Sequence, residues 1–369
     1  MKEIIINNKK FIILYSILIL ISIAIIIFTF NNYKYYDKTI ARITSTNEEY
    51  IDTKILAYGY KDDYYKQDLE LIILNGSHKG ETINIENEYY KSETFSQKYN
   101  TNDEVFVYLN FKDNEIYNAY LDGYKRDKYI VILVISFILI IVLIGKLKGL
   151  LSIFSLIINI VLFCCLAFIN TKGISLVLLS YIGAILFSSI CLTLVSGFNK
   201  KTLSAIISCF ISVTITSLIA LLAIKLTDYS GVRIEQMELL TRPFDQVLIS
   251  EIILGGLGAI MDVSISISSL IDELIHKNKR ITIKSLKKSG FNLGKDIIGT
   301  MINVLFFTYV CSAIPNLIIY FRNGIELKHL LHEYISLELT RALTGAIGIT
   351  LATPIAIYIT LLIYKRRVK

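Results

Sequence analysis

The chain has 369 residues, 54% of them hydrophobic and only 19% charged, with a mean hydropathy of +0.56. That balance leaves too little polar surface to cover a soluble globule of this size, so lipid must cover part of it. The formal net charge of +7 does not point to nucleic acid: residues 31–128 carry 13 Lys and Arg against 18 Asp and Glu, so the basic excess sits beside the apolar runs.

A run of about 18 or more apolar residues can cross about 30 Å of hydrocarbon, and it must be helical there because lipid cannot satisfy a bare backbone. The first such run extends from about Phe11 to Phe30, behind Lys9 and Lys10. No small-x-small cleavage site follows, only Asn31-Asn32-Tyr33-Lys34-Tyr35, so residues 1–30 read as an uncleaved signal anchor.

Residues 31–128 form the one polar segment, predicted to be an extracytoplasmic β-rich domain. Leu69–Leu74 and Glu81–Ile85 flank a turn-rich Asn75-Gly76-Ser77-His78-Lys79-Gly80, which predicts a hairpin. Glu104–Asn110, with alternating Val105, Val107 and Leu109, and Glu115–Leu121 add two strands, and Ile40–Ile43 can supply another. Five short strands predict a small OB-like barrel or a sandwich. Its fifteen tyrosines read as core filling and headgroup contacts, with a stacking surface for ligands as the alternative. All five cysteines (Cys164, Cys165, Cys191, Cys209, Cys311) fall in apolar runs, so no disulfide is expected.

Seven further spans are predicted at about Tyr129–Ile144, Leu150–Ile169, Ile174–Val195, Leu203–Ile224, Val247–Ile271, Ile297–Tyr320 and Glu338–Tyr364. The fold class is therefore an α-helical polytopic membrane protein of about eight transmembrane helices, with residues 129–369 as a seven-helix membrane domain. Lys and Arg are retained on the cytoplasmic side. With the N-terminus inside, the inner segments collect 18 of them, including the Lys277–Lys295 stretch and Lys365, Arg366, Arg367 and Lys369, against seven near the outer loops, among them Arg233 and Arg242. Both termini are expected in the cytoplasm, with the Lys277–Lys288 run facing anionic lipid.

Candidate chemistry concentrates in the last three spans. A carboxylate at mid-membrane costs a few kcal/mol or more, so Asp262 is expected to face protein or water. Helical spacing places Glu251, Gly255, Gly258, Asp262, Ser266, Ser269 and Glu273 on one stripe. The seventh span carries Asn292, Asp296, Gly299, Thr300 and Asn303 at four- and seven-residue steps, and in a helical hairpin the two faces can meet. The eighth opens with Glu338-Leu339-Thr340-Arg341, where Glu338 and Arg341 at i, i+3 can pair.

Small and hydroxyl residues on such stripes ordinarily serve helix packing. For Asp262 and Asn303 function is the stronger reading, because Ser or Ala would pack as well. Asp262 is expected to bind a proton or cation that accompanies transport, in a groove lined by Ser266, Ser269, Asp296, Thr300 and Asn303. Glu251, Gly255, Gly258, Asn292, Glu338 and Arg341 would support it. The chain holds no phosphate-binding loop, nucleophile elbow or intramembrane protease signature. Neither a cofactor nor a catalytic residue is expected, an Asp262/Asp296 acid pair being the enzymatic alternative. His329-Leu330-Leu331-His332-Glu333 could offer two imidazoles but no third ligand, so no metal is expected.

Two motifs carry a resemblance: Gly-Ala-Ile-Met-Asp-Val-Ser-Ile-Ser-Ile-Ser-Ser at 258–269 and Ser-Gly-Phe-Asn-Leu-Gly-Lys-Asp-Ile-Ile-Gly-Thr-Met-Ile-Asn at 289–303. Together they resemble the YibE/F-like bacterial membrane proteins. Phe291 and Lys295 stand where a Met-like and an Arg-like residue would be expected, departures that keep size or charge. The resemblance covers nearly the whole chain, including the anchor and the Lys79-Gly80-Glu81 hairpin, and implies a protein of the bacterial cytoplasmic membrane. Two functional readings follow: a permease or exporter acting on a small substrate or ion, and a non-transporting scaffold whose outer domain binds a protein partner. The lipid bilayer is a partner in both, and nucleic acid in neither.

Overall fold

A computed structural model describes residues 2–55, 59, 61–93, 96–112, 115–226 and 244–364. Arg233, Arg242 and the basic residues after Tyr364, which helped orient the sequence reading, lie outside the described residues. The chain divides into two compact units, Met1–Gly149 and Leu150–Lys369.

The first unit opens with helix α1 (Lys2–Phe30). Most of its side chains from Phe11 onward are exposed and apolar, the surface lipid would cover. A 3-10 turn (Tyr33–Tyr35) leads into five antiparallel strands, β1 (Thr39–Ile55), β2 (Lys61–Ile73), β3 (Thr82–Tyr90), β4 (Glu104–Lys112) and β5 (Glu115–Tyr124). Their order in the sheet is β3-β2-β1-β4-β5, which leaves β3 and β5 as the edges.

Strand β1 serves both halves of the sheet. Thr39–Arg42 pair with β4, and pairing with β2 runs from Ala41↔Ile73 to Ile55↔Lys61. The sequence anticipated only Ile40–Ile43 of this strand and Leu69–Leu74 of β2. The rest is a polar ribbon without apolar alternation, stabilised instead by cross-strand pairs. Tyr50 meets Tyr65 edge-on with centroids 5.6 Å apart, Tyr65 stacks on Tyr89 at 5.3 Å, and Thr53 donates to Asp63 at 2.8 Å. The apolar ends build one core from Ala41, Ile43, Leu69, Leu71, Ile73, Ile83, Ile85, Val105 and Val107.

Asn75, read from sequence as a turn residue, is buried and works as a staple. Its carbonyl accepts from the Ile40 amide at 2.7 Å, and its amide donates to the carbonyls of Tyr33, Tyr36 and Lys38 at 3.0, 3.2 and 3.0 Å. Where the sheet meets the helices, Asp127 accepts from Lys125 (2.8 Å), Asn32 (2.9 Å) and Tyr36 (2.9 Å). Lys125 itself is buried, and that carboxylate is its countercharge.

Helix α2 (Asp127–Thr171) comprises 45 residues in two helices joined at a kink. It is divided at Lys146, whose φ of 51° and ψ of −130° leave the helical region. The absence of a side chain at Gly149 is required there, because a Cβ would strike the Ile141 carbonyl. The helices that follow are α3 (Leu176–Ser196), α4 (Lys200–Leu226), α5 (Phe244–Gly255), α6 (Leu257–Lys277), α7 (Ile283–Arg322), the short α8 (Leu327–Leu330), a π-turn (Leu331–Ile335) and α9 (Ser336–Tyr364).

Seven helical segments among the described residues are long and apolar enough to cross a membrane, where eight spans were predicted. The second and third predicted spans both fall within the segment Asp127–Thr171, one on each side of the kink at Lys146 that divides it into two helices. The predicted sixth span is two helices, α5 and α6, meeting at Gly255–Gly256.

The second unit is built on small residues. Cβ atoms added at Gly290, Gly345 and Gly348 would lie 2.8 Å from Ile357, 2.8 Å from Leu305 and 2.7 Å from Ile260. One added at Gly294 would strike Thr353. These contacts bring α7 and α6 close against α9. Around them Val213, Ile253, Val263, Ile267, Ile271, Ile349 and Ala356 form a continuous core.

Candidate functional site

Near one end of this unit the chain gathers opposite charges from sequence-distant elements. Glu251 lies on α5, while Glu338 and Arg341 share the first turns of α9, just after the π-turn. Arg341 Nη1 donates to Glu338 Oε1 at 2.7 Å, and Nη2 donates to Glu251 Oε2. The side chains of Arg341 and Glu338 are 14% and 15% exposed and that of Glu251 38%, so the guanidinium is enclosed and one carboxylate is open. Pairing is what allows these charges to stay buried.

The open side is a cavity of about 450 Å³ walled by Phe163, Leu176, Val247 and Leu254, with Ser180, Ser250, Glu251, Tyr309 and Arg341 as its polar groups. Gly255 also lines it, and a Cβ there would collide with the Tyr309 hydroxyl, which explains glycine at the end of α5. Buried polar atoms nearly always find partners. Here the Ser250 hydroxyl, the second oxygen of Glu338 and Nε of Arg341 are buried and have none among the described residues. The site thus holds unspent hydrogen-bonding capacity beside an empty volume.

Four of the residues singled out from sequence meet here: Glu251, Gly255, Glu338 and Arg341. The others do not join them. Asp262 and Gly258 lie on the exposed face of α6, with Ser266 and Ser269 half-buried beside it, while Ile260, Val263, Ser264, Ile267 and Ile271 form the buried face. Asp262 makes no hydrogen bond or ion pair among the described residues. Asn292, Asp296, Thr300 and Asn303 are exposed on α7, whose buried face is Leu286, Gly290, Gly294 and Leu305. Thr300 and Asn303 donate to carbonyls of their own helix, Ile297 and Gly299, each at 2.9 Å. His329 and His332 are both exposed.

The sequence reading passed over a second polar feature, the hydroxyl ladder of α4. Ser204, Ser208, Ser212 and Thr216 recur every four residues, are buried, and each donates to the carbonyl one turn back at 2.6–2.7 Å. The four-residue spacing was visible, but nothing in it says that this face turns inward. Ser268 on α6 meets Thr360 on α9 at 2.9 Å, while the hydroxyls of Ser264 and Thr353 are buried without partners among the described residues.

A model of the YibE/F-like protein family matches residues 133–366, and a model of the YibE/F family N-terminal domain matches residues 34–124. No curated protein and no solved structure matches the chain. The first match takes in the helices that build the charged cavity and the second takes in the sheet, so by well over half of its length the chain belongs to the YibE/F-like family.

Proposed function

We propose that the chain is a permease or exporter of the bacterial cytoplasmic membrane, with both termini inside and the β domain outside. The observation that carries this reading is the Glu251–Arg341–Glu338 cluster beside the 450 Å³ cavity. A charged side chain within a span costs roughly 2.5–3.5 kcal/mol on insertion scales, and apolar residues would pack at least as well. A site that binds and releases a polar solute has a use for such groups. The break at Gly255–Gly256 supports the same reading, since carriers commonly build sites where a membrane helix is interrupted. On this proposal no catalytic step and no cofactor is involved, and Asp262 on the open face of α6 is the candidate for a coupling ion.

The test is charge movement from proteoliposomes on a solid support, read after jumps in solute concentration and in pH. Wild type should give a current with at least one solute, and Glu251→Gln should not. A wild-type protein silent to every solute and to pH would overturn the permease reading.

One observation favours the second reading, a non-transporting scaffold whose outer domain binds a protein. Tyr108, Phe111, Tyr117 and Tyr120 are all more than half exposed on the edge hairpin β4–β5. Deleting residues 39–124 separates the two, because a scaffold should lose all function while a permease keeps basal flux.

A further inference from the structure

Resting on the permease reading of the cavity, we infer that its ligand is an amphipathic organic cation, an amine or substituted ammonium with an apolar body. Charge is the first argument. Two carboxyl groups share one guanidinium, and among the described residues no Lys or His lines the cavity, so acidic groups outnumber basic ones there two to one. A bound cation removes that excess, whereas an anion would have to pull Arg341 away from a carboxylate in a poorly hydrated place.

Hydrogen-bonding capacity points the same way. Both terminal nitrogens of Arg341 are already spent on Glu338 and Glu251. Facing the cavity, the open carboxylate of Glu251 accepts only, and the hydroxyl of Ser250, 5% exposed and without a partner, can accept as well. An ammonium brings donors and no acceptor, which matches Glu251 and Ser250 and leaves the Arg341 Nε–H and the Tyr309 hydroxyl as donors it does not use.

Size and walls distinguish an organic cation from a bare ion. A water molecule takes about 30 Å³ of liquid volume, and a desolvated metal ion would leave most of the 450 Å³ empty. Phe163, Leu176, Val247 and Leu254 line the remainder, and Phe163 and Tyr309 bring aromatic rings, a side-chain type that attracts cations, to the lining. An open pocket of this size, with apolar walls and a few polar groups, suits a small organic ligand.

The experiment is thermal unfolding of the purified full chain in detergent, titrated with benzylammonium, benzyl alcohol, benzoate and sodium. Benzylammonium should raise the melting temperature saturably, while the alcohol and the anion of the same shape and sodium do not. Glu251→Gln should need at least about tenfold more amine for the same shift, and Ser250→Ala, which keeps the ion pairs, should weaken binding by a smaller factor. Equal stabilisation by benzoate, or an amine response unchanged in both variants, would overturn the inference. Currents evoked only by anions or neutral solutes and lost in Glu251→Gln would also overturn it, while leaving the permease reading intact. Amine binding that depends on Glu251 without any current would sustain the inference and end the permease reading.

Discussion

Arg341 on α9 is bonded at once to Glu338, one turn before it, and to Glu251 on α5, 90 residues away in the chain. The local partner was available to any helix carrying Glu and Arg three residues apart. The distant one exists only because the start of α9 is brought beside α5, and it is this second bond that sets a guanidinium at the edge of the cavity.

Removing the guanidinium should therefore be costly. Arg341→Met leaves Glu338 enclosed with no countercharge, and breaking a buried pair from one side typically costs about 3–5 kcal/mol. The triple variant Arg341→Met/Glu251→Gln/Glu338→Gln should unfold closer to wild type than Arg341→Met alone. A triple variant no more stable than the single one would show that the cost arises from packing and not from charge.

Gly255 and Tyr309 test the cavity from its other wall. Gly255→Ala drives a methyl into the Tyr309 hydroxyl, and overpacking of this kind costs about 1–3 kcal/mol. Combining it with Tyr309→Phe, which removes the struck oxygen, should recover most of the loss in thermal unfolding. Additive losses in the double variant would mean that α5 itself, not the hydroxyl, resists the change.

Asp262 and Glu251 should behave oppositely. Asp262 lies within a membrane-length segment and is unpaired among the described residues, so Asp262→Asn, which removes a charge and no described contact, should not lower stability. Solute-evoked currents should persist in Asp262→Asn with an altered pH or ion dependence, and vanish in Glu251→Gln. The reverse pattern would move the solute site to the open face of α6.

In the sheet, the pH dependence of the β1–β2 ribbon follows from Glu48. The Lys98 ammonium, 2.6 Å away, holds its carboxyl below the ordinary carboxylate range, against a smaller opposing effect of desolvation. A carboxyl depressed in the folded state adds stability that is fully present above its ordinary value near 4.5 and is lost as pH falls through the depressed one. Amide exchange in β1 and β2 of the full chain should accelerate below about pH 4.5 more than exchange in β4, and Glu48→Gln should flatten that dependence.

Asn75 should be among the least replaceable residues of the sheet. Asn75→Ala leaves the Ile40 amide and three carbonyls without this partner, and Asn75→Asp sets a carboxylate against those carbonyls. A single orphaned buried group costs about 1–3 kcal/mol, so each variant should lose at least about 3 kcal/mol in unfolding. A loss below about 1 kcal/mol in either would mean that water replaces the amide.

Local physics let the sequence by itself determine a good deal. Apolar run length marks membrane segments wherever a backbone must satisfy itself, and alternation with a turn marked Leu69–Leu74, Glu81–Ile85 and the later strands. The motifs at 258–269 and 289–303 pointed to the family that the whole-chain matches then established. The polar half of the β1–β2 ribbon was invisible because it is held by cross-strand polar and aromatic pairs that leave no period in either strand alone. Helical spacing likewise grouped Gly258, Asp262 and Ser266 on one face of α6, but a period says only that residues share a face. Which face is covered depends on the partner helix, and α9 packs through Gly348 against Ile260, on the buried face of α6, while Asp262 stays open. Only the tertiary structure could join Glu251 to Arg341 or turn the Ser204–Thr216 ladder inward, because both depend on contacts between helices that no local pattern encodes.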